Sequence, residues 1–167
     1  MYVTVLLSLA LMSGFAAPSA QEKPAAKPAP KPAAAKPAAA GAARTVEINA
    51  GDDMKYTVTN IPAKAGETLH IKLVSKGTLP KIAMAHNVVV LKATAKQDAF
   101  VNAAAQARAT DFIPADMKDQ VLGASTLAGP GETVDVTVKI PAAGTYPYVC
   151  TFPGHFAAGM KGTIVAK

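Results

Sequence analysis

The chain has 167 residues with one cysteine, three histidines and no tryptophan, enough for one domain plus flanking segments. Its formal net charge of +6 is uneven: residues 1–44 hold five Lys/Arg against one Glu, whereas residues 45–167 hold twelve Lys/Arg against ten Asp/Glu. The basic character belongs to a tail, which removes the main support for a nucleic-acid partner, and a single cysteine excludes an intrachain disulfide.

Residues 1–20 read as an export signal, because Tyr2 to Ala17 is almost continuously apolar and the small residues Ser19 and Ala20 follow. Sixteen helical residues reach about 24 Å, short of the roughly 30 Å hydrocarbon core, so cleavage is expected over retention as an uncleaved anchor. A periplasmic or otherwise exported location follows. Residues 21–44 are an Ala/Pro/Lys-rich linker in which Lys-Pro recurs at 23–24, 27–28, 31–32 and 36–37. Proline fixes φ and biases its predecessor toward extended backbone, so a polyproline II spacer is expected there. Any membrane association is expected only through the N-terminus or this linker.

From residue 45 to 167 the pattern is β. Val46, Ile48, Tyr56 and Val58 alternate with polar neighbours, Thr68 to Leu73 alternates cleanly, and Thr133 to Val138 alternates again. Val88 to Leu91 is continuously apolar, as for a strand buried on both faces. Tyr146 to Cys150 and Gly162 to Val165 complete the set. Ile61-Pro62, Gly77 to Pro80, Gly129-Pro130-Gly131 and Pro141 to Gly144 read as breakers. Many short strands between turns predict an all-β sandwich or barrel. One insertion departs from it: residues 94–109 are alanine-rich and open on Thr94-Ala95-Lys96-Gln97, a capping-box pattern, which predicts a helix of about three turns packed as a flap.

The chemistry sits near the C-terminus. Cys150, His155 and Met160 lie within eleven residues, and His86 stands upstream at the head of the valine run. A lone Cys is more often an inert buried thiol and a lone Met more often core, but one thiolate, two imidazoles and one thioether together are the ligand set of a blue-copper electron-transfer site. Pro153-Gly154 supplies a turn between Cys150 and His155, and Gly159 and Gly162 allow tight backbone around Met160. His70 lies on the outward face of an alternating strand and reads as an ordinary surface histidine.

Two linked motifs, Gly77 to Asn87 and Cys150-Thr151-Phe152-Pro153-Gly154-His155 with Met160-Lys161-Gly162-Thr163, resemble those of cupredoxins, specifically the azurin group. The resemblance covers about residues 45–167 and implies a Greek-key β-sandwich, one type 1 copper and one-electron transfer without enzymatic activity. It implies His86, Cys150, His155 and Met160 as ligands, Asn87 tying the two ligand loops, and the Phe152 amide donating toward the Cys150 sulfur. The Cys-x₄-His-x₄-Met spacing is the one auracyanins and rusticyanin show, one residue longer than azurin's after the histidine. Ala85 stands where azurins have glycine, at the position of a weak carbonyl contact to copper.

A docking patch of Pro153, Phe156, Ala157 and Ala158 is expected around a His155 whose edge reaches the surface. Through it the protein would dock transiently to redox proteins such as c-type cytochromes or a copper or haem oxidase or reductase. The alternative is a periplasmic copper carrier or storage protein, which would use clustered, exchangeable ligands; here the six methionines are scattered.

Overall fold

A computed structural model describes residues 43–167, so the signal and almost all of the linker lie outside the described residues. Arg44, placed by sequence at the end of the linker, opens the first strand. Its guanidinium donates to Glu67 Oε1 at 2.7 Å and to the Pro62 carbonyl at 2.6 Å.

Among the described residues, eight strands form two sheets. Strands β1 (Arg44–Ala50), β3 (Thr68–Ser75) and β6 (Thr133–Lys139) make one, in the order β1-β3-β6, with β1 parallel and β6 antiparallel to β3. Strands β2 (Asn60–Ala63), β4 (Val89–Leu91), β5 (Val121–Ala124), β7 (Gly144–Val149) and β8 (Lys161–Ala166) make the other, in the order β2-β8-β7-β4-β5. The chain passes repeatedly between the sheets, and the architecture is an all-β two-sheet sandwich. Side-chain alternation explains the layering: Leu69, Ile71 and Leu73 on β3 and Val136 and Val138 on β6 turn inward, onto Val88, Val90, Tyr148 and Ile164 of the five-stranded sheet. Each fully buried Leu, Ile or Val contributes about 1.5–3 kcal/mol.

The continuous apolar run is buried on both faces, for a reason visible in the packing. Val88 and Val90 face the inter-sheet core, while Val89 and Leu91 join Val149 and Phe100 in a second cluster on the outer face. Phe100 is on helix α1 (Gln97–Ala104), so the inserted segment covers this face of the sheet. The helix is shorter than its composition suggests. It starts after Lys96 with no side-chain cap, so the capping-box pattern at Thr94 goes unused, and beyond it the chain continues as short 3₁₀ turns at Arg108–Thr110 and Ala115–Gln120.

Two strands escape the periodicity argument. Ile61-Pro62, read as a breaker, lies inside β2, an edge strand that pairs only with β8 and exposes Pro62, so proline's missing N–H costs no ladder bond. β5 contains Gly123, where a side chain would meet Val138 Cγ1 at 2.4 Å and Val136 Cγ2 at 2.9 Å; the glycine lets β5 cross close over β6.

Candidate metal centre

Three of the four candidate ligands sit at ends of adjacent strands of the five-stranded sheet, and the fourth, His155, lies in the loop between two of them. His86 precedes β4 and is held by reciprocal main-chain bonds with Ala128, at 2.9 and 2.7 Å. Cys150 follows β7, Met160 precedes β8, and these two close the loop between them through the Cys150 amide, which donates to the Met160 carbonyl at 3.1 Å. Inside the loop the Met160 amide donates to the His155 carbonyl at 2.9 Å, and Gly154 and Gly159 take φ of 86° and 96°, left-handed positions that favour glycine. His86, Cys150 and Met160 are wholly buried and His155 is 2% exposed.

One donor atom from each of His86, Cys150 and His155 lies within 4.8 Å of the others. Cys150 Sγ is 3.5 Å from His155 Nδ1, and the two imidazole centroids are 5.0 Å apart. Both ring nitrogens of His86 are buried without a hydrogen-bond partner, a costly arrangement for polar atoms unless something else binds them. Burial pushes the Cys150 thiol up to about 11, against the opposing hydrogen bonds of the Asn87 and Phe152 amides. Burial and the charge of His86 push His155 down to about 4, and burial lowers His86 against the pull of Asp52 and Asp53. The imidazoles are thus neutral and ready to ligate at neutral pH, and the thiol gives up its proton only to a cation that binds it. Two imidazoles and one soft sulfur converging, with both His86 nitrogens otherwise unpartnered, fit a copper ion.

Surrounding groups fix this arrangement. Asn87 joins the loops: its Nδ2 donates to Thr151 Oγ1 at 2.8 Å, and its Oδ1 accepts the Thr151 amide at 2.9 Å. Tyr148 lies against Gly162, where a Cβ would meet the phenol oxygen at 2.4 Å. Ala85, beside His86, is wholly buried.

Three features differ from the sequence reading. His155 does not present its edge freely, being only 2% exposed; in its loop Pro153, Gly154 and Ala157 are the exposed residues. Phe156 is half-buried, against the second cluster and beneath Lys161 Nζ, 4.4 Å from its ring centroid. The chain just after the inserted segment reaches the centre, a contact with no counterpart in the sequence reading. Asp111 and Phe112 take φ of 52° and 60°, which drives the Phe112 ring edge-on to Phe152 at 5.3 Å, and Phe152 in turn lies 4.8 Å from His155. Left-handed backbone at two consecutive non-glycine residues leaves no compositional signature, so only the fold reveals this stack. The pairing of Thr151 with Asn87 likewise has no local sequence signal, since 64 residues separate them. His70 is remote from the site and pairs with Asp135 Oδ2 at 3.1 Å on the outer face of β3.

Residues 42–167 match the family of copper-binding proteins described as plastocyanin/azurin. Auracyanin-A of Chloroflexus aurantiacus is 36% identical over 126 residues, covering 74% of each chain. Auracyanin-B of the same organism is 36% identical over 124 residues, 73% of this chain; the chain spans 52% of that relative's length. A solved structure of auracyanin A, described as a "blue" copper protein, superposes with a TM-score of 0.66 at 34% identity, over 75% of this chain and 100% of the other.

Proposed function

Because the chain belongs to the plastocyanin/azurin family of copper-binding proteins, we propose that it works as a type 1 copper electron carrier whose ligands are His86, Cys150, His155 and Met160. The observation that carries the ligand assignment is the buried triad of His86, Cys150 and His155, with both nitrogens of His86 otherwise unpartnered. Met160 is the fourth because its main chain is bonded to both Cys150 and His155 and its side chain is wholly buried.

Bound copper supplies a one-electron couple that two imidazoles and soft sulfur accommodate in both oxidation states. The protein's part is to keep its donors still. Asn87 and Thr151 lock the two loops together, the amides of Asn87 and Phe152 hydrogen-bond to the Cys150 sulfur, and the Phe112–Phe152–His155 stack closes the loop side. Donors that do not move between oxidation states leave little rearrangement to slow electron transfer.

Partner docking is assigned to the exposed Pro153 and Ala157 with the half-buried Phe156 and Ala158, joined by Leu79 and Ile82 of the segment leading to His86, which are 44% and 77% exposed. Partners are redox proteins such as c-type cytochromes or a copper or haem oxidase or reductase, held in a small, quickly released interface. Ile82→Asp and Ala157→Asp should slow reduction by a partner without altering the copper spectrum. Export is proposed from residues 1–20; no helix among the described residues is long and apolar enough to cross a membrane.

The deciding experiment is to load the protein with Cu(II) and record visible absorption and EPR together. An intense red thiolate-to-copper band with narrow copper hyperfine splitting is expected. A pale spectrum with tetragonal parameters would remove Cys150 from the ligand set.

A further inference from the structure

Residues 55–58 touch all three ligand-bearing segments. After β1 ends at Ala50 the chain turns, with Met54 at φ 55°, and doubles back so that Tyr56 bridges Ala50. Neighbouring side chains then point to opposite sides. Lys55 runs along the surface, and its Nζ donates to the carbonyl of Ala158, between His155 and Met160. Tyr56 turns inward, is 4% exposed, and donates its hydroxyl to the main-chain carbonyl of Asn87 at 2.5 Å. Further on, the Val58 carbonyl accepts the hydroxyl of Tyr148, on the strand that leads to Cys150, at 2.5 Å.

The Tyr56 contact has the chemical consequence. The peptide between Asn87 and Val88 is buried and held by side chains at both ends: its carbonyl accepts from Tyr56, and its N–H donates to Ser125 Oγ at 3.0 Å. A peptide is a rigid plane, so fixing both ends fixes the backbone torsion at Asn87. The amide on the other side of that residue is one of two, with that of Phe152, that favour the Cys150 thiolate against the effect of burial. Bonds from the Asn87 side chain to Thr151 set the side chain; on the main chain the Ala128 amide holds the His86 carbonyl on one side of Asn87 at 2.7 Å, and Tyr56 and Ser125 hold the peptide on the other. Without the phenol the Asn87 carbonyl would be buried and unsatisfied, and the peptide would gain by turning.

We propose that Tyr56 is a positioning residue of the metal centre: by holding the Asn87 carbonyl it keeps the Asn87 amide aimed at the Cys150 sulfur, and so sets how much charge that sulfur offers copper. This rests on Cys150 being a ligand. An amide donating to the thiolate withdraws charge from it and favours Cu(I); loosening that bond favours Cu(II).

The test is Tyr56→Phe in the full chain, which keeps the ring and removes the one hydroxyl. The type 1 spectrum should persist, while the Cu(I):Cu(II) preference moves roughly tenfold toward Cu(II), a fall of about 59 mV for one electron. In the metal-free protein the Asn87 amide should exchange with solvent roughly tenfold faster. Ser125→Ala, at the other end of the same peptide, should move both readouts in the same direction and carries the test if Tyr56→Phe does not fold. Potential and Asn87 exchange both unchanged, even with a lower melting temperature, would reduce Tyr56 to core packing and overturn the proposal. Should the unmutated protein lack a type 1 spectrum, the ligand assignment falls, and Asn87 exchange in the metal-free protein alone decides the positioning role.

Discussion

The outer face of the three-stranded sheet and the ligand-bearing end of the five-stranded sheet each hold a histidine, and they treat it in opposite ways. On β3, His70 is half-buried with its ring reaching solvent, pairs with Asp135, and sits beside the Lys72–Glu47 ion pair at 3.3 Å. At the head of β4, His86 is wholly buried and neither ring nitrogen has a partner. One environment satisfies its polar groups with water and surface charge. The other withholds both, and the unsatisfied nitrogens mark where a metal belongs.

The largest effect that could break this comparison is on Cys150. Cys150→Ser should abolish the intense red absorption and leave the copper weakly held, while His70→Ala should leave spectrum and affinity unchanged; a spectrum that responds to His70 would erase the distinction between the two faces. Copper removal comes next. With no disulfide to brace the sandwich, metal at a thousandfold excess over its Kd should add about 4 kcal/mol to stability. Equal melting temperatures for metal-free and copper-loaded protein would contradict a centre that depends on its ion.

Phe112→Ala sharpens the comparison at a distance from the ligands. Removing a nearly buried ring costs about 3 kcal/mol, and alanine keeps the Cβ, so the left-handed strain at that position offsets none of the loss. The variant's redox potential should also move, because Phe152 and His155 lose their packing partner; a change in melting temperature alone would confine Phe112 to stability.

The smallest effect belongs to the surface. The Arg44 guanidinium holds the Glu67 carboxyl below its ordinary value, chiefly by a direct hydrogen bond. A carboxyl depressed in the folded state stabilises above its unfolded pKa and stops doing so as pH falls through its folded value. Arg44→Ala should therefore cost about 0.2–1 kcal/mol more at neutral pH than in acid, where only the loss of its bond to the Pro62 carbonyl remains; denaturation followed between pH 7 and pH 3 checks it.

The strands that alternate one-sidedly, β3 and β6, and the doubly buried run at Val88 to Leu91 were legible in sequence because burial leaves a period in the residues themselves. β2 and β5 were not, since an edge strand carrying proline and a glycine-thinned crossing strand owe their pairing to neighbours far along the chain. In the same way the donor set Cys150, His155 and Met160 is local and readable. The approach of His86 to it depends on strands β4 and β7 lying side by side. Chemistry-bearing residue types and periodicities are properties of short segments, so the sequence alone determined the sandwich, the copper and the kind of centre. Only the tertiary structure decided that His155 is enclosed, that Phe112 reaches Phe152, and that Tyr56 holds the Asn87 peptide, because each is a contact across long sequence separation that no local pattern encodes.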